Sequence, residues 1–182
     1  GIQLEWIDSR PASNGPVSLS TPSQAIIVYD HRRTSNPEPV ISSLSASPDV
    51  QIWCETSAAH GLSDRDRLSL TPCDTLVIWS PPPSPSVLRD ALQRTNPRQV
   101  YLFGHLTTMD QPGSFLTRLA GLCKYALNRN VGRLSVARLA AATNQCSETV
   151  SVGLRWLQAH GHIELVEQQS DYVIISPSIT AT

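Results

Sequence analysis

The chain has 182 residues, enough for one large or two small domains, and its 14 Lys and Arg nearly balance its 15 Asp and Glu. This balance argues against a surface that is basic all over and binds nucleic acid everywhere. No apolar run approaches the roughly 20 residues of a membrane span, and no signal peptide is recognisable, so we expect a cytoplasmic protein with no membrane contact. The chain begins with Gly1 rather than Met, which favours an excised fragment or a processed product.

The first part of the chain has the pattern of a small parallel sheet. Residues 1–24 are rich in Pro and Ser after an apolar start and predict an edge strand followed by a loop. Four apolar runs follow, AIIVY at 25–29, VQIWC at 50–54, TLVIW at 75–79 and QVYLF at 99–103. Continuous rather than alternating runs are typical of strands buried on both faces of a parallel sheet, and their spacing leaves room for crossover connections. We therefore predict an α/β domain with a small, mostly parallel sheet over residues 1–110.

One crossover helix is clear in the sequence. After a proline-rich turn, the segment SVLRDALQRT is amphipathic, Pro85 suits its first turn, and Asn96-Pro97 ends it. Its inward positions are Val87, Leu88, Ala91 and Leu92. The other two connections are rich in Ser and Pro and offer only short helical segments, at Val40–Leu44 and Asp64–Leu68.

The last third of the chain has the element order of a winged helix. Three helical segments, beginning near Phe115, Ser135 and Cys146, precede two short alternating segments that predict a hairpin around Gln168 to Ser170. A turn at Val131-Gly132 separates the first two helices, and Gly161 stands where a glycine commonly ends a helix. The predicted inward positions are Phe115, Leu116, Leu119, Leu122, Cys123 and Ala126, then Val136, Leu139 and Ala140, then Val150, Leu154 and Leu157. We predict a winged-helix (helix-turn-helix) domain over residues 111–182.

Winged helices commonly place their third helix in a DNA groove, but many bind only protein. Residues 115–182 carry a small basic surplus, with 6 Lys and Arg against 4 Asp and Glu, although the whole chain does not. The outward positions of the third helix, Glu148, Ser151, Arg155, Gln158 and Trp156, include a single cation. If the domain binds nucleic acid, we therefore expect contacts mainly to phosphate. The candidate nucleic-acid-binding residues are Arg129, Arg133, Arg138 and Arg155.

Other classes of site find no support in the sequence. No GxGxxG or GxxxxGK[ST] motif follows a predicted strand, which argues against a bound nucleotide cofactor. The pair Asp30-His31 ends a predicted strand, but it has no third metal ligand at a defined spacing, and the same holds for His60, His105, His160 and His162. None of the four cysteines lies in a CxxC pair, so we predict reduced thiols and no metal site. We assign no catalytic residue and no cofactor.

The order of these segments resembles the C-terminal accessory domain that follows the catalytic core in some bacterial RecJ-type single-stranded-DNA exonucleases. The similar stretches are LEWIDSR, AIIVYD, TLVIWSPPPSPSVLRDALQRTNPRQVYLFG, GSFLTRLAGLCKYALNRN and SVARLAAATNQCSETVSVGLRWLQAHGHIEL. The resemblance covers most of residues 4–176 and rests on element order and apolar spacing rather than on an invariant motif.

The resemblance implies a non-catalytic part of a DNA repair and recombination nuclease that degrades single strands from their 5′ ends. In that family a DHH-type core binds Mg²⁺ or Mn²⁺, and Asp30-His31-Arg32 is not that motif, because the flanking motifs are missing. The implied partners are the catalytic core of the same polypeptide and single-stranded DNA or a repair protein. Two alternatives remain: a stand-alone winged-helix transcription regulator with an N-terminal sensory lobe, and a small α/β hydrolase.

Overall fold

A computed structural model describes residues 25–55, 64–106, 108–129 and 132–178. The edge strand predicted within residues 1–24 lies outside these ranges, as do His60 and Val131. The described elements form two groups, each with its own sheet. We name them the sheet lobe, residues 27–102, and the helical lobe, residues 112–177. None of the helices in the described ranges has both the length and the apolar character needed to cross a bilayer.

The sheet lobe confirms the predicted α/β class with a small parallel sheet. Its strands are β1 (Ile27–Asp30), β2 (Val50–Trp53), β3 (Asp64–Arg65), β4 (Thr75–Ile78) and β5 (Gln99–Leu102). They are arranged in the order β1-β5-β4-β2-β3, and every neighbouring pair is parallel. Each of the four apolar runs of the sequence contributes one strand.

Two helices pack on opposite faces of this sheet. They are α1 (Glu38–Ser45) and α2 (Pro85–Thr95). Ile41 of α1 packs in one cluster with Val77, whereas Ala91 of α2 packs in another with Leu76 and Ile78. Successive residues of a strand point to opposite faces, so β4 is covered on both. The short helix predicted at Val40–Leu44 lies within α1.

The predicted ends of α2 are confirmed. The hydroxyl of Ser84 accepts a hydrogen bond from the Val87 N–H at 3.3 Å. Pro85 occupies the first turn, where a backbone N–H would have no partner within the helix, so the lack of one costs no hydrogen bond. At the other end Asn96 has φ 44°, and its N–H donates to the Leu92 carbonyl at 2.8 Å. A left-handed residue of this kind commonly stops a helix.

The helix predicted at Asp64–Leu68 is wrong. Asp64 and Arg65 instead form the short edge strand β3, and the Cys54 N–H donates to the Arg65 carbonyl at 3.0 Å. Asp66 then turns the chain, because its Oδ1 accepts hydrogen bonds from the N–H groups of Leu68 and Ser69 at 3.1 and 2.8 Å. A side chain that satisfies nearby backbone donors in this way competes with helix formation.

The expectation that all four apolar strands are buried on both faces is wrong for β1. Ile27 is 51% exposed and Tyr29 is 38% exposed, although both are apolar or aromatic. β1 is an edge strand of the described sheet, and the cluster that contains α1 is centred on β2 and β4. The exposed face of β1 is therefore a consequence of strand order, which the apolar run alone does not reveal.

The helical lobe contains three helices and a three-stranded antiparallel sheet. Its elements are α3 (Pro112–Arg129), β6 (Arg133–Ser135), α4 (Val136–Ala142), α5 (Ser147–Ala159), β7 (Ile163–Gln168) and β8 (Tyr172–Pro177), with strand order β6-β8-β7. The three predicted helices and the hairpin are present, and β6 is an addition. Gly132 precedes β6 with φ 79°, and a Cβ there would lie 1.9 Å from the Ile175 carbonyl oxygen, so only glycine fits.

The core of the helical lobe is the one that the helical periodicity predicted. Leu119, Val150 and Leu154 have no exposed surface, and Leu157 is 2% exposed. The end of α5 is also as predicted: the N–H groups of Gly161 and His162 donate to the carbonyls of Gln158 and Leu157, both at 2.9 Å. This pair of hydrogen bonds is a Schellman motif, with Gly161 at φ 71°.

Candidate nucleic-acid interface

The four candidate arginines lie on four different elements of the helical lobe, and all four are exposed. Arg129 ends α3, and Arg133 begins β6 with its guanidinium carbon 4.4 Å from the centroid of the Tyr172 ring. Arg138 lies in the first turn of α4, and Arg155 lies in the second half of α5, where its Nε donates to the Ser151 carbonyl at 3.3 Å. Arg138 lines a cleft together with residues of the other lobe.

That cleft, which we name the interlobe cleft, has a volume of about 540 Å³. Its helical-lobe side contains Arg118 of α3 and Arg138 of α4, and its sheet-lobe side contains Glu55, Asp66 and Ser69. Arg118 was not among the predicted site residues. Its position off the apolar stripe of α3 predicts exposure, but no local pattern indicates that it faces the same cleft as Arg138.

The two carboxylates of the interlobe cleft already accept hydrogen bonds from residues of the sheet lobe. Besides two backbone N–H groups, Asp66 Oδ1 accepts the Ser69 hydroxyl at 2.7 Å, and Glu55 pairs with Arg67. Arg118 and Arg138 have no acidic partner within 4.0 Å among the described residues. Two exposed guanidinium groups without such partners can bind phosphate oxygens, as arginine does in many protein–DNA contacts.

A buried ion pair connects the cleft to the turn between α4 and α5. Arg67 Nε lies 2.9 Å from Glu55 Oε2, with 12% and 1% of the two side chains exposed, and the Trp53 indole N–H donates to Glu55 Oε1. The same guanidinium donates to the carbonyls of Gln145 and Ala140, at 3.1 and 3.4 Å. Burial raises the pKa of the Glu55 carboxyl above its ordinary value, and the positive charge of Arg67 offsets part of the rise.

Two further hydrogen bonds join the same turn to the rest of the chain. The Asn144 side-chain amide donates to the Pro81 carbonyl at 3.3 Å, and the Gln145 side-chain amide donates to the Met109 carbonyl at 3.1 Å. Asn144 has φ 50° and is 4% exposed. The turn that leads from α4 into α5 is thus held by the sheet lobe, which fixes the start of α5 relative to the cleft.

The outward face of α5 is poor in charge. Arg155, Glu148 and Gln158 are exposed as predicted, and Ser151 is half-buried. Trp156, also predicted to point outward, is 41% exposed. Val152 is 60% exposed, and the helical periodicity did not predict its exposure. A face with these residue types has little capacity to read base edges through bidentate hydrogen bonds.

An apolar groove of about 720 Å³ lies beside Trp156, between α3 and the start of β7. Leu116, Ala120 and Leu127 form its α3 side, with Lys124 as the charged residue in its lining. The Trp156 ring stacks on His160 with 3.8 Å between centroids. A groove with this lining can bind apolar side chains.

Among the described residues, those considered for metal or nucleophilic chemistry form no common site. Asp30 is bound by Arg32 at 2.6 Å, and Asp74 pairs weakly with Arg98 at 3.7 Å. Burial raises the pKa of the Cys123 thiol to about 11, which makes it a poor nucleophile. Within the described ranges, no group of three or more His, Cys, Asp or Glu side chains is arranged to hold a metal ion.

Comparison of the chain with protein-family models, with curated proteins and with solved structures found no match.

Proposed function

We propose that this chain is a non-catalytic accessory domain of a RecJ-type single-stranded-DNA exonuclease, in which residues 111–182 form a winged helix that binds DNA for a separate catalytic core. The observation that carries the proposal is the element order of the helical lobe. One helix, a short strand, two helices and a hairpin follow one another, and the hairpin pairs with the short strand. This order agrees with the one expected of a winged helix, a class whose members often bind DNA, and it supports the proposal.

The charges of the interlobe cleft support a contact with the phosphate backbone. Arg118 and Arg138 line it without acidic partners in the described structure, and the outward face of α5 offers little to read a base sequence. The resulting function is sequence-independent retention of a DNA strand in the cytoplasm, beside a core that supplies the hydrolytic chemistry with its own Mg²⁺ or Mn²⁺. We assign no catalytic step to the residues of this chain.

The direct test is a binding titration with single- and double-stranded DNA of random sequence, each at two salt concentrations. Phosphate contacts release counterions, so the affinity must fall as salt rises. The same preparation should leave a labelled single strand intact with Mg²⁺ or Mn²⁺. Degradation that disappears when Asp30 is changed to Asn would overturn the non-catalytic assignment.

The encoding gene provides an independent test of the family. A DHH-type core encoded upstream in the same reading frame would support the proposal. A stand-alone reading frame would contradict it and favour the alternative of a transcription regulator, which predicts a dimer because such readers bind paired half-sites.

A second candidate function is contact with protein, favoured by the exposed Val152 and Trp156 and by the apolar groove beside them. The partner would be the catalytic core or a repair protein. On this alternative, Trp156→Ala leaves DNA affinity unchanged. A loss of DNA affinity in that variant would assign the α5 face to DNA instead.

A further inference from the structure

The residues of the sheet lobe that hold the turn between α4 and α5 come just after three neighbouring strands. Arg67 follows β3 by two residues, Pro81 follows β4 by three, and Glu55, which pairs with Arg67, follows β2 by two. The strands lie side by side in the order β4-β2-β3 and run parallel, so their carboxyl ends share one edge of the sheet. The turn, residues 143–146, therefore lies over that edge.

This edge includes the point where the connections of the sheet diverge. β2 and β4 are adjacent, but the strand that follows β2 in the chain is β3, on one side, and the strand that follows β4 is β5, on the other. In open α/β sheets, ligands bind in the crevice that such a divergence leaves outside the carboxyl ends of the strands. Here a turn of the same chain lies where a ligand is expected.

The contacts between the turn and the sheet lobe are polar. Arg67 donates to the carbonyls of Gln145 and Ala140 at 3.1 and 3.4 Å. The Asn144 side-chain amide donates to the Pro81 carbonyl at 3.3 Å. None of the three apolar clusters of the described structure contains residues of both lobes. Hydrogen bonds can be exchanged for bonds to water at a small net cost, whereas exposing apolar surface is costly. The lobes can therefore separate without disrupting either core.

The junction also leaves one buried acceptor unpaired. Asn144 is 4% exposed, and its Oδ1 has no hydrogen-bond partner among the described residues. Such a group costs free energy in the closed arrangement and would be hydrated in an open one. Arg67 keeps its bond from Nε to Glu55 at 2.9 Å when the lobes separate, because both residues belong to the sheet lobe. Separation thus hydrates an unpaired group and leaves no charge without its partner.

We propose that the α4–α5 turn is an intramolecular plug, which fills the carboxyl-end crevice of the sheet lobe and leaves it when the lobes separate. The segment between β5 and α3 remains as the covalent connection, so the lobes then move as two bodies. Release uncovers the ends of β4, β2 and β3 and frees Nη1 and Nη2 of Arg67 for acceptors of another molecule. The plug is independent of the proposed DNA contact, since either can exist without the other.

The test measures residual dipolar couplings of the backbone amides in the full chain, which report whether the lobes share one alignment. The double variant Arg67→Lys/Asn144→Gly removes the hydrogen bonds between the turn and the sheet lobe. Lysine keeps a cation for Glu55 but lacks the planar fork that reaches two carbonyls, and glycine readily adopts the φ of 50° found at Asn144. One alignment tensor should fit both lobes of the wild type. In the double variant this common tensor should be lost, while the amide chemical shifts of both cores stay unchanged.

The matched control is Arg94→Lys/Asn96→Gly, which makes the same two changes within the sheet lobe. Arg94 donates to the carbonyls of Arg67 and Leu68 at 2.9 and 3.4 Å, and Asn96 has φ 44°. Neither residue contacts the turn through a described hydrogen bond. The control should therefore keep the common tensor.

Two results would overturn the proposal. A common tensor that persists in Arg67→Lys/Asn144→Gly would mean that more than the turn holds the lobes together. Loss of the sheet-lobe chemical shifts in that variant would mean that the turn is part of the fold of the sheet lobe. If the double variant does not fold at all, Asn144→Gly decides, because it keeps the pair of Arg67 with Glu55: separate tensors there support the plug, and a common tensor overturns it.

Discussion

Arg67 of the sheet lobe pairs with the buried Glu55 at 2.9 Å, and its Nη1 and Nη2 donate to the carbonyls of Gln145, in the α4–α5 turn, and of Ala140, in α4. A single side chain thus neutralises a buried carboxylate and forms hydrogen bonds that join the helical lobe to the sheet lobe. Buried charges are tolerated when they are paired and hydrogen-bonded in this way, and they are costly when one partner is removed.

We predict that Arg67→Met lowers the free energy of unfolding at pH 7 by about 3 kcal/mol, because it leaves the Glu55 carboxylate buried without its cation. The loss should shrink on acidification. Without Arg67 the folded-state pKa of Glu55 rises further above its unfolded value, so the folded state is favoured at low pH and loses stability as pH rises through that pKa. Denaturant unfolding at pH 5 and pH 7 checks this. The exposed pair Asp74–Arg98 provides the control Arg98→Met, with an expected change below about 1 kcal/mol at both pH values.

Two glycines within helices should respond to alanine in opposite directions. A Cβ at Gly153 of α5 would lie 2.7 Å from Leu119 Cδ2 and 2.8 Å from Phe115 Cε1, both core side chains, whereas a Cβ at Gly121 of α3 has no neighbour within 4 Å. Gly121→Ala should stabilise by up to about 1 kcal/mol through helix propensity. Gly153→Ala should destabilise, because overpacking of about 1–3 kcal/mol outweighs that gain. Melting temperatures that rise for both variants would show that the α3–α5 contact is looser than described.

The hairpin carries a carboxylate whose titration depends on one hydroxyl. The Tyr172 hydroxyl donates to Glu167 Oε1 at 2.7 Å, and this hydrogen bond is the main cause of the lowered pKa of Glu167. The bond favours the folded state above the ordinary pKa of a glutamate, and that contribution is lost as pH falls through the lowered folded-state pKa. Tyr172→Phe should raise the pKa of Glu167 toward its ordinary value, measured by NMR titration of the carboxyl carbon. The same pKa in both proteins would mean that the hydroxyl does not contact Glu167 in solution.

The sequence predicted the elements whose signals are local. Apolar runs located four strands, and Pro85, Asn96 and Gly161 located helix ends, because each signal depends on residues close in the chain. The two strands that were missed, β3 and β6, have only two and three residues, too few for an alternating pattern to appear. Short strands of this kind exist because a neighbouring strand pairs with them.

The candidate sites depend on contacts that no local pattern contains. Arg67 donates a hydrogen bond to the carbonyl of Gln145, which lies 78 positions away in the chain. Arg118 and Arg138 line the same cleft only because α3 and α4 pack beside each other. The exposure of Tyr29 likewise follows from the position of β1 at the sheet edge. Outward arginines could be predicted from periodicity, but which of them share a surface could not.

The measurement that tests the central claim most directly is the salt dependence of DNA affinity in arginine variants. Arg118→Ala and Arg138→Ala should each weaken binding about equally for all sequences, and each should reduce the salt slope by about one unit on double-stranded DNA and by somewhat less on a single strand. Arg129→Ala, Arg133→Ala and Arg155→Ala should behave in the same way where those side chains touch phosphate. Arg89→Ala, on the exposed side of α2, is the matched control and should change neither quantity.

A wild-type salt slope near zero, or slopes in Arg118→Ala and Arg138→Ala equal to that of the wild type, would contradict the phosphate contact. An Arg155→Ala variant that keeps its affinity for random DNA but loses a preference for one sequence would make α5 a sequence reader. That result would place the transcription-regulator alternative above the nuclease accessory domain.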